Sequence, residues 1–272
     1  MANESAALYL FCFARADTVG AVHATAVDGH SPVSIIRQLP DVCVVVSEVA
    51  QEDFCGSEAE HHMQQLSWLA PRAICHEAVI EEVMASSPVM PVAFGTLFSS
   101  LEALAEFVER HRETITSFLR RVAEHGEWSV RGLFDRRQAQ RALTSARLAG
   151  QQERLGVMSP GVRHFAEQRI SRDIERELSL WLDQTSRTIA NDLAGCSADF
   201  RECDVSTRTR SEDELEEVLN WAFLLPESAI GQFRELVTRA NLYHRPQGLI
   251  LQITGPWPPY RFVPALSATA TP

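Results

Sequence analysis

The chain has 272 residues, a formal charge of −11 and a pI near 5.3. A length of this order fits one large or two medium domains and buries roughly 70–75% of the unfolded surface, so neither disulfide nor metal staples are required. The acidic balance argues against a nucleic-acid binder, which needs a basic stripe to displace counterions. All 25 basic residues are arginine, and without lysine no phosphate-binding P-loop of the Walker type exists. The six cysteines, at 12, 43, 55, 75, 196 and 203, form no CxxC pair and no zinc spacing, which points to a reducing cytoplasm. No charged-then-apolar leader precedes Leu8 and no apolar run reaches the ~18 residues of a membrane span, so a soluble protein is expected.

The run Ala6–Ala14 is apolar, aromatic and unbroken, and it predicts a strand buried on both faces. Val22–Gly29 alternates and predicts a weaker strand closed by an Asp-Gly turn. Val33–Ile36 and Val42–Val46 read as two further strands around a turn at Leu39-Pro40-Asp41, giving an antiparallel cluster. From Gly56 to Ser86 the pattern is helical, with Pro71 expected either to break it or to open a second helix. There His76, Ile80 and Val83 share one face, and His76 is either a ligand or base or, more simply, a core histidine with its ring nitrogens satisfied.

Ser87–Phe98 is an apolar run with Pro88 and Pro91, which lack backbone donors and therefore belong on an edge strand or strap. Ser99-Ser100 caps the next helix, whose stripe Leu101, Leu104, Val108, Ile115, Phe118 and Val122 predicts one helix ending near Gly126. A domain boundary is expected there, dividing residues 1–126 from a second domain over 127–263. Residues 264–272 read as a disordered tail.

The second domain opens with a strand at Trp128–Phe134 and a helical run interrupted at Gly150, Gly156 and Ser159-Pro160-Gly161. A long helix follows from Val162, with Phe165, Ile170, Ile174, Leu178, Trp181, Ile189 and Leu193 on its stripe. At ~32 residues it would span about 48 Å, so part of it should fold into a hairpin or reach the first domain. Strands near Ser197–Val205 and Val218–Leu225 flank an acidic segment from Ser211 through Glu217, read as a solvated turn or a docking patch. Pro226-Glu227-Ser228 opens a helix, and Gly248–Thr254 is the last strand. The order β-α-β-β-α-β is the ferredoxin-like pattern, so the fold class is α+β: a mixed N-terminal domain and a ferredoxin-like C-terminal domain with a long helix.

Catalytic motifs are missing. His76-Glu77 lacks the second histidine of HExxH because position 80 is Ile80, and Gly29-His30-Ser31-Pro32-Val33 lacks the closing glycine of a nucleophile elbow. No catalytic, cofactor or metal residue is assigned. The Pro/aromatic string Gly255–Phe262 predicts an extended, polyproline-like tail that either covers an edge or offers Trp257, Tyr260 and Phe262 to a partner.

Two of these stretches carry a resemblance. His76-Glu77-Ala78-Val79-Ile80 followed by Pro88–Thr96 is similar to the gas-vesicle GvpF/GvpL family, whose members read roughly H…V…PV.P.RFGT.F, with Ala93 where the family has arginine. Gly255-Pro256-Trp257-Pro258-Pro259-Tyr260-Arg261-Phe262 resembles the family's GPWPPYSF run, with Arg261 in place of serine. With the opening Leu8-Tyr9-Leu10 strand, the likeness extends to about Phe262 and is weakest at Gly150–Gly161 and after Thr207. It implies a non-enzymatic gas vesicle accessory or minor structural protein. Such a protein would bind the apolar major wall protein, prevent its aggregation and assist nucleation or assembly, associated with the gas-facing side. Pro91, Phe94, Gly95, Thr96, His76, Trp257 and Tyr260 are the partner-binding or structural candidates. Because ferredoxin-like domains host unrelated functions, a ligand-binding protein or small-molecule enzyme is the alternative.

Overall fold

A computed structural model describes residues 6–145, 160–205 and 215–266. Residues up to Gly126, together with those from Pro256 onward, form one compact unit, and Glu127–Gly255 form a second. Residues 256–263, expected in the second domain, therefore belong to the first unit. The difference lies in the C-terminal turn, whose Tyr260 packs against the core of the first unit.

In the first unit, strands β1 (Ala6–Arg15), β2 (Ser34–Arg37), β3 (Val42–Ala50), β4 (Val89–Pro91) and β5 (Leu97–Phe98) make one sheet in the order β2-β3-β1-β4, with β5 also on β1. All four pairings are antiparallel. β1 carries a register shift between Leu10 and Cys12. An extra residue in one strand turns the following side chains to the opposite face. Tyr9 before the shift, the extra residue Phe11 at it, and Cys12 and Ala14 after it thus all join the core under helix α2 (Leu66–Met84), with Val79, Ile80 and Val83. Phe13 is left for the other face, where it stacks on Phe107 at 6.5 Å. That face is covered by α3 (Leu101–Arg110) and α4 (Arg112–Arg121). A strand buried on both faces, as β1 reads, is what a sheet between two helical layers requires.

Four local expectations are corrected. Val22–Gly29 is not a strand: the amides of His23 and Ala24 donate to the Glu82 carboxylate at 2.9 and 2.7 Å, and Gly29 N–H turns back to Ala26 at 2.9 Å. The side chain of one glutamate thereby replaces the ladder that the alternation suggested. The helical region after Gly56 breaks at Gln65 between α1 (Ser57–Gln64) and α2, while Pro71 sits inside α2. Being only the sixth residue of α2, Pro71 forfeits a single intrahelical bond, to Ser67.

The predicted single helix over Leu101–Gly126 is two helices, parted at His111 with φ −104° and ψ 11°. Val108 and Ile115 are both buried, but Glu109–Glu113 offers no apolar side chain to hold the intervening turn down. Ser100 does cap α3, accepting from Ala103 N–H at 3.2 Å. The C-terminal tail is not polyproline throughout, since Tyr260–Phe262 closes into a 3-10 turn after Pro259.

In the second unit, β6 (His125–Phe134), β7 (Asp199–Glu202), β8 (Glu216–Pro226) and β9 (Leu249–Trp257) form a sheet in the order β7-β8-β6-β9. Helix α5 (residues 136–145) begins where Asp135 accepts from Gln138 N–H at 2.7 Å. Helix α6 (Pro160–Ala194) precedes β7, and α7 (Ile230–His244) lies between β8 and β9. The first and third strands of the β-α-β-β-α-β order are central neighbours, as in a ferredoxin-like sheet. α6 is unbroken over 35 residues, so it contains no hairpin. Its buried stripe starts at Ile170 and runs through Ile174, Leu178, Ile189 and Leu193, whereas Phe165 is 71% exposed instead of joining the core. Each such buried aliphatic contributes ~1.5–3 kcal/mol. The predicted interruption at Gly150 and Gly156, the acidic stretch Ser211–Glu214 and the end of the tail fall outside the described residues.

Candidate functional site

The first unit buries a chain of polar side chains beneath its sheet. His76 lies on the inner face of α2, 2% exposed. Its Nδ1 is 2.9 Å from the Tyr9 hydroxyl of β1, and its Nε2 is 3.1 Å from the Tyr260 hydroxyl and 3.3 Å from the Val92 carbonyl. Tyr9 accepts from Gly95 N–H at 3.1 Å, and Tyr260 donates to Glu77 Oε1 at 2.8 Å.

These contacts fix the protons. Nε2 faces the Val92 carbonyl, which can only accept, so the proton of the neutral ring resides on Nε2 and Nδ1 accepts the one hydrogen of the Tyr9 hydroxyl. Nε2–H then donates to Tyr260 and Val92, while Tyr260 passes its own hydrogen to the Glu77 carboxylate. The relay Gly95, Tyr9, His76, Tyr260, Glu77 uses a neutral imidazole, with no lone pair left over for an incoming proton. Burial accordingly depresses His76 to about 4, only partly opposed by the Val92 carbonyl. Burial also raises Tyr9 and Tyr260, the latter further because it faces the Glu77 carboxylate. Glu77 is raised by burial against the opposing bond from Tyr260, with Glu81 adding repulsion.

Aromatic rings wall the relay: Phe11 stacks on His76 at 5.7 Å, and Phe94 meets it edge-on at 5.7 Å and Phe54 at 6.1 Å. The Val92–Thr96 turn is held from both ends. Val92 N–H donates to Phe11 at 3.1 Å, Leu10 N–H donates to Thr96 at 2.9 Å, and the Thr96 hydroxyl donates to Ala93 at 2.7 Å. Gly95 has φ +82°, in the left-handed region where a side chain is strained.

Of the sequence-derived candidates, the fold therefore brings His76, Gly95 and Tyr260 into one hydrogen-bonded set, with Phe94 against it and Thr96 in the adjoining turn. Pro91 is buried in β4 opposite Cys12, and Ala93 is exposed. Trp257 is 42% exposed. Tyr9 and Glu77 were not among the candidates. Tyr9 had a signal: a tyrosine in a strand buried on both faces must find a partner for its hydroxyl. Glu77 had none, because its partner is 183 residues away. Among the described residues no group of three or more His, Cys, Asp or Glu side chains is placed to hold a metal ion. The arrangement ties α2, β1, the Val92–Thr96 turn and the C-terminal turn together.

Comparison with known proteins fits this architecture. The chain shares 25% identity over 244 residues with gas vesicle protein L of a Streptomyces species, covering 86% of this chain and 84% of that one. It shares 25% over 224 residues with gas vesicle protein L1 of Halobacterium salinarum, at 76% and 74% coverage. Its fold matches the crystal structures of GvpF from Anabaena (TM-score 0.66, 18% identity, 96% and 97% coverage) and from Microcystis aeruginosa (0.63, 17%, 95% and 99%). The sequence model of the gas vesicle synthesis proteins GvpL/GvpF matches residues 7–264, spanning His76, the Ser87–Phe98 strap and the Tyr260 turn, and the chain belongs to that family.

Proposed function

We propose that this gas vesicle protein binds the small, very apolar major wall protein in the cytoplasm, keeps it from aggregating, and delivers it during nucleation or assembly on the gas-facing side. In this reading it works by binding and not by catalysis. The observation that carries the reading is the open edge of the first unit's sheet. β4, at one side, is three residues long, preceded by Pro88 and ending in Pro91, so it offers little to a further strand. β2, at the other, pairs among the described residues only with β3 and carries Ile35 and Ile36 at its centre. A strand of the wall protein added to β2 would satisfy its outer backbone groups by β-augmentation. Phe94 and its neighbours lie beyond β4 and would serve as a second contact.

Strand alternation supplies the test, since of two successive residues one amide faces β3 and the other faces outward. Ile35→Pro and Ile36→Pro are compared for melting temperature and for co-purification with the wall protein. The variant that keeps its melting temperature is expected to lose binding by about ten-fold or more, as the outward amide is the one a partner strand needs. Retention of full binding by that variant removes the β2 mechanism. Absence of binding by the parent protein removes the wall-protein reading itself. Probing washed, floating vesicles for the protein then separates a retained wall component from an assembly factor.

A further inference from the structure

We infer that Asn241 is an edge guard, a side chain that holds β9 closed against pairing with β9 of a second copy of this chain. β9 is the terminal strand of the second unit's sheet, bonded to β6 on one side. From Leu249 to Gly255 it contains no charge and is rich in Leu and Ile. Natural edge strands of this length and composition are protected by charges, prolines or a covering element, because their free N–H and C=O groups template another strand. The opposite edge, β7, has such protection in Asp199, Arg201 and Glu202.

On β9 the protection comes from α7. Asn241 Nδ2 donates to the Leu251 carbonyl at 2.8 Å, and Leu251 N–H donates to Asn241 Oδ1 at 2.7 Å. A primary amide that accepts from the N–H and donates to the C=O of the same residue reproduces the pair of bonds an antiparallel neighbour would make. Since both groups of Leu251 point away from β6, alternation turns those of Leu249 and Ile253 the same way. Among the described residues no hydrogen bond from outside the sheet reaches Ile253. The helix sequence fits the role: Phe233 and Val237 lie in the core, and one turn on from Val237 the inward position is taken by the polar Asn241. Leu242 and Tyr243 point outward, 77% and 70% exposed.

The occupant follows from the strand itself. Two copies of β9 laid antiparallel about a two-fold axis present identical, uncharged backbones to each other and so form a self-complementary pair. Asn241 occupies the centre of that pairing surface. This inference is independent of the wall-protein reading, because it concerns a different sheet and needs no wall protein to test.

Asn241→Ala is examined by sedimentation over a concentration series and by amide exchange. Leu251 exchange is expected to rise by about ten-fold or more, and a concentration-dependent dimer is expected where the parent stays monomeric. Two second-site changes then identify the surface used. Ile253→Pro removes an outward amide, and Gln252→Lys places a charge on an exposed position of β9 without touching the core. Return of Asn241→Ala to monomer with either change supports the guard. An Asn241→Ala protein that remains monomeric with faster Leu251 exchange, or a dimer that survives both changes, overturns it.

Discussion

Replacing His76 by alanine is expected to destabilise the protein by roughly 3–5 kcal/mol, because it empties a buried site and strands the Tyr9 hydroxyl without an acceptor. Tyr260→Phe should cost less, about 1–2 kcal/mol, since the ring still packs and Glu77 remains half-buried at the margin. In a double-mutant cycle the two losses should fall short of additivity, as His76 and Tyr260 share one bond. Full additivity in denaturant unfolding would mean the relay does not act as a unit.

The same histidine sets a pH dependence. Its folded value of about 4 lies below the 6.5 of a free imidazole, so between those limits the unfolded chain binds a proton that the folded chain refuses. Stability is therefore fully present above pH 6.5 and falls as pH drops through the window, by about 3 kcal/mol at its lower end. Glu77 works in the opposite sense. Its folded value is raised, so its contribution is lost as pH climbs past the ordinary carboxylate range. Measuring unfolding free energy from pH 7 to pH 4 in a Glu77→Gln background, and subtracting the profile of His76→Gln in that same background to remove His244 and the depressed carboxylates Asp28 and Glu82, isolates the histidine. A flat difference profile would contradict a neutral, buried His76.

A second large effect is expected at Gly255. This residue has φ +134°, and an added Cβ would lie 2.8 Å from the Glu127 carbonyl oxygen and 3.1 Å from the Trp128 side chain. Backbone is the obstacle at the closer contact, so relief requires β9 to move off β6. Gly255→Ala should cost roughly 2–4 kcal/mol, combining the strained backbone with the clash. Gly231→Ala, on α7 with nothing within 4 Å of its Cβ, is the control and should stabilise by about 0.5–1 kcal/mol. Equal effects at the two glycines in thermal unfolding would show that the β6–β9 approach is looser than described.

Much of the fold is legible in the sequence wherever one chemical rule acts over a short span. β1 announces its two buried faces by an unbroken apolar run, and the two prolines of the strap place β4 at an edge. Ser100 marks the start of α3. The order of elements in the second unit is enough to give its sheet type. The misreadings share another cause. Val22–Gly29 looks like a strand until Glu82, nearly sixty residues later, takes its amides. The helix after Leu101 keeps its apolar spacing across His111, yet no side chain there reaches the core.

What the sequence by itself determined is therefore local: the alternations and stripes, the caps and turns, the absence of catalytic spacings, and the Pro/aromatic string that marks the family. Periodicity and backbone chemistry act between near neighbours, so they can be read in one dimension. What only the tertiary structure decided is partnership. Tyr9, His76 and Tyr260 are separated by 67 and 184 residues, and Asn241 meets Leu251 because α7 turns back over the edge of β9. Burial makes each of these polar groups costly unless paired, and which group satisfies which is set by how the layers close.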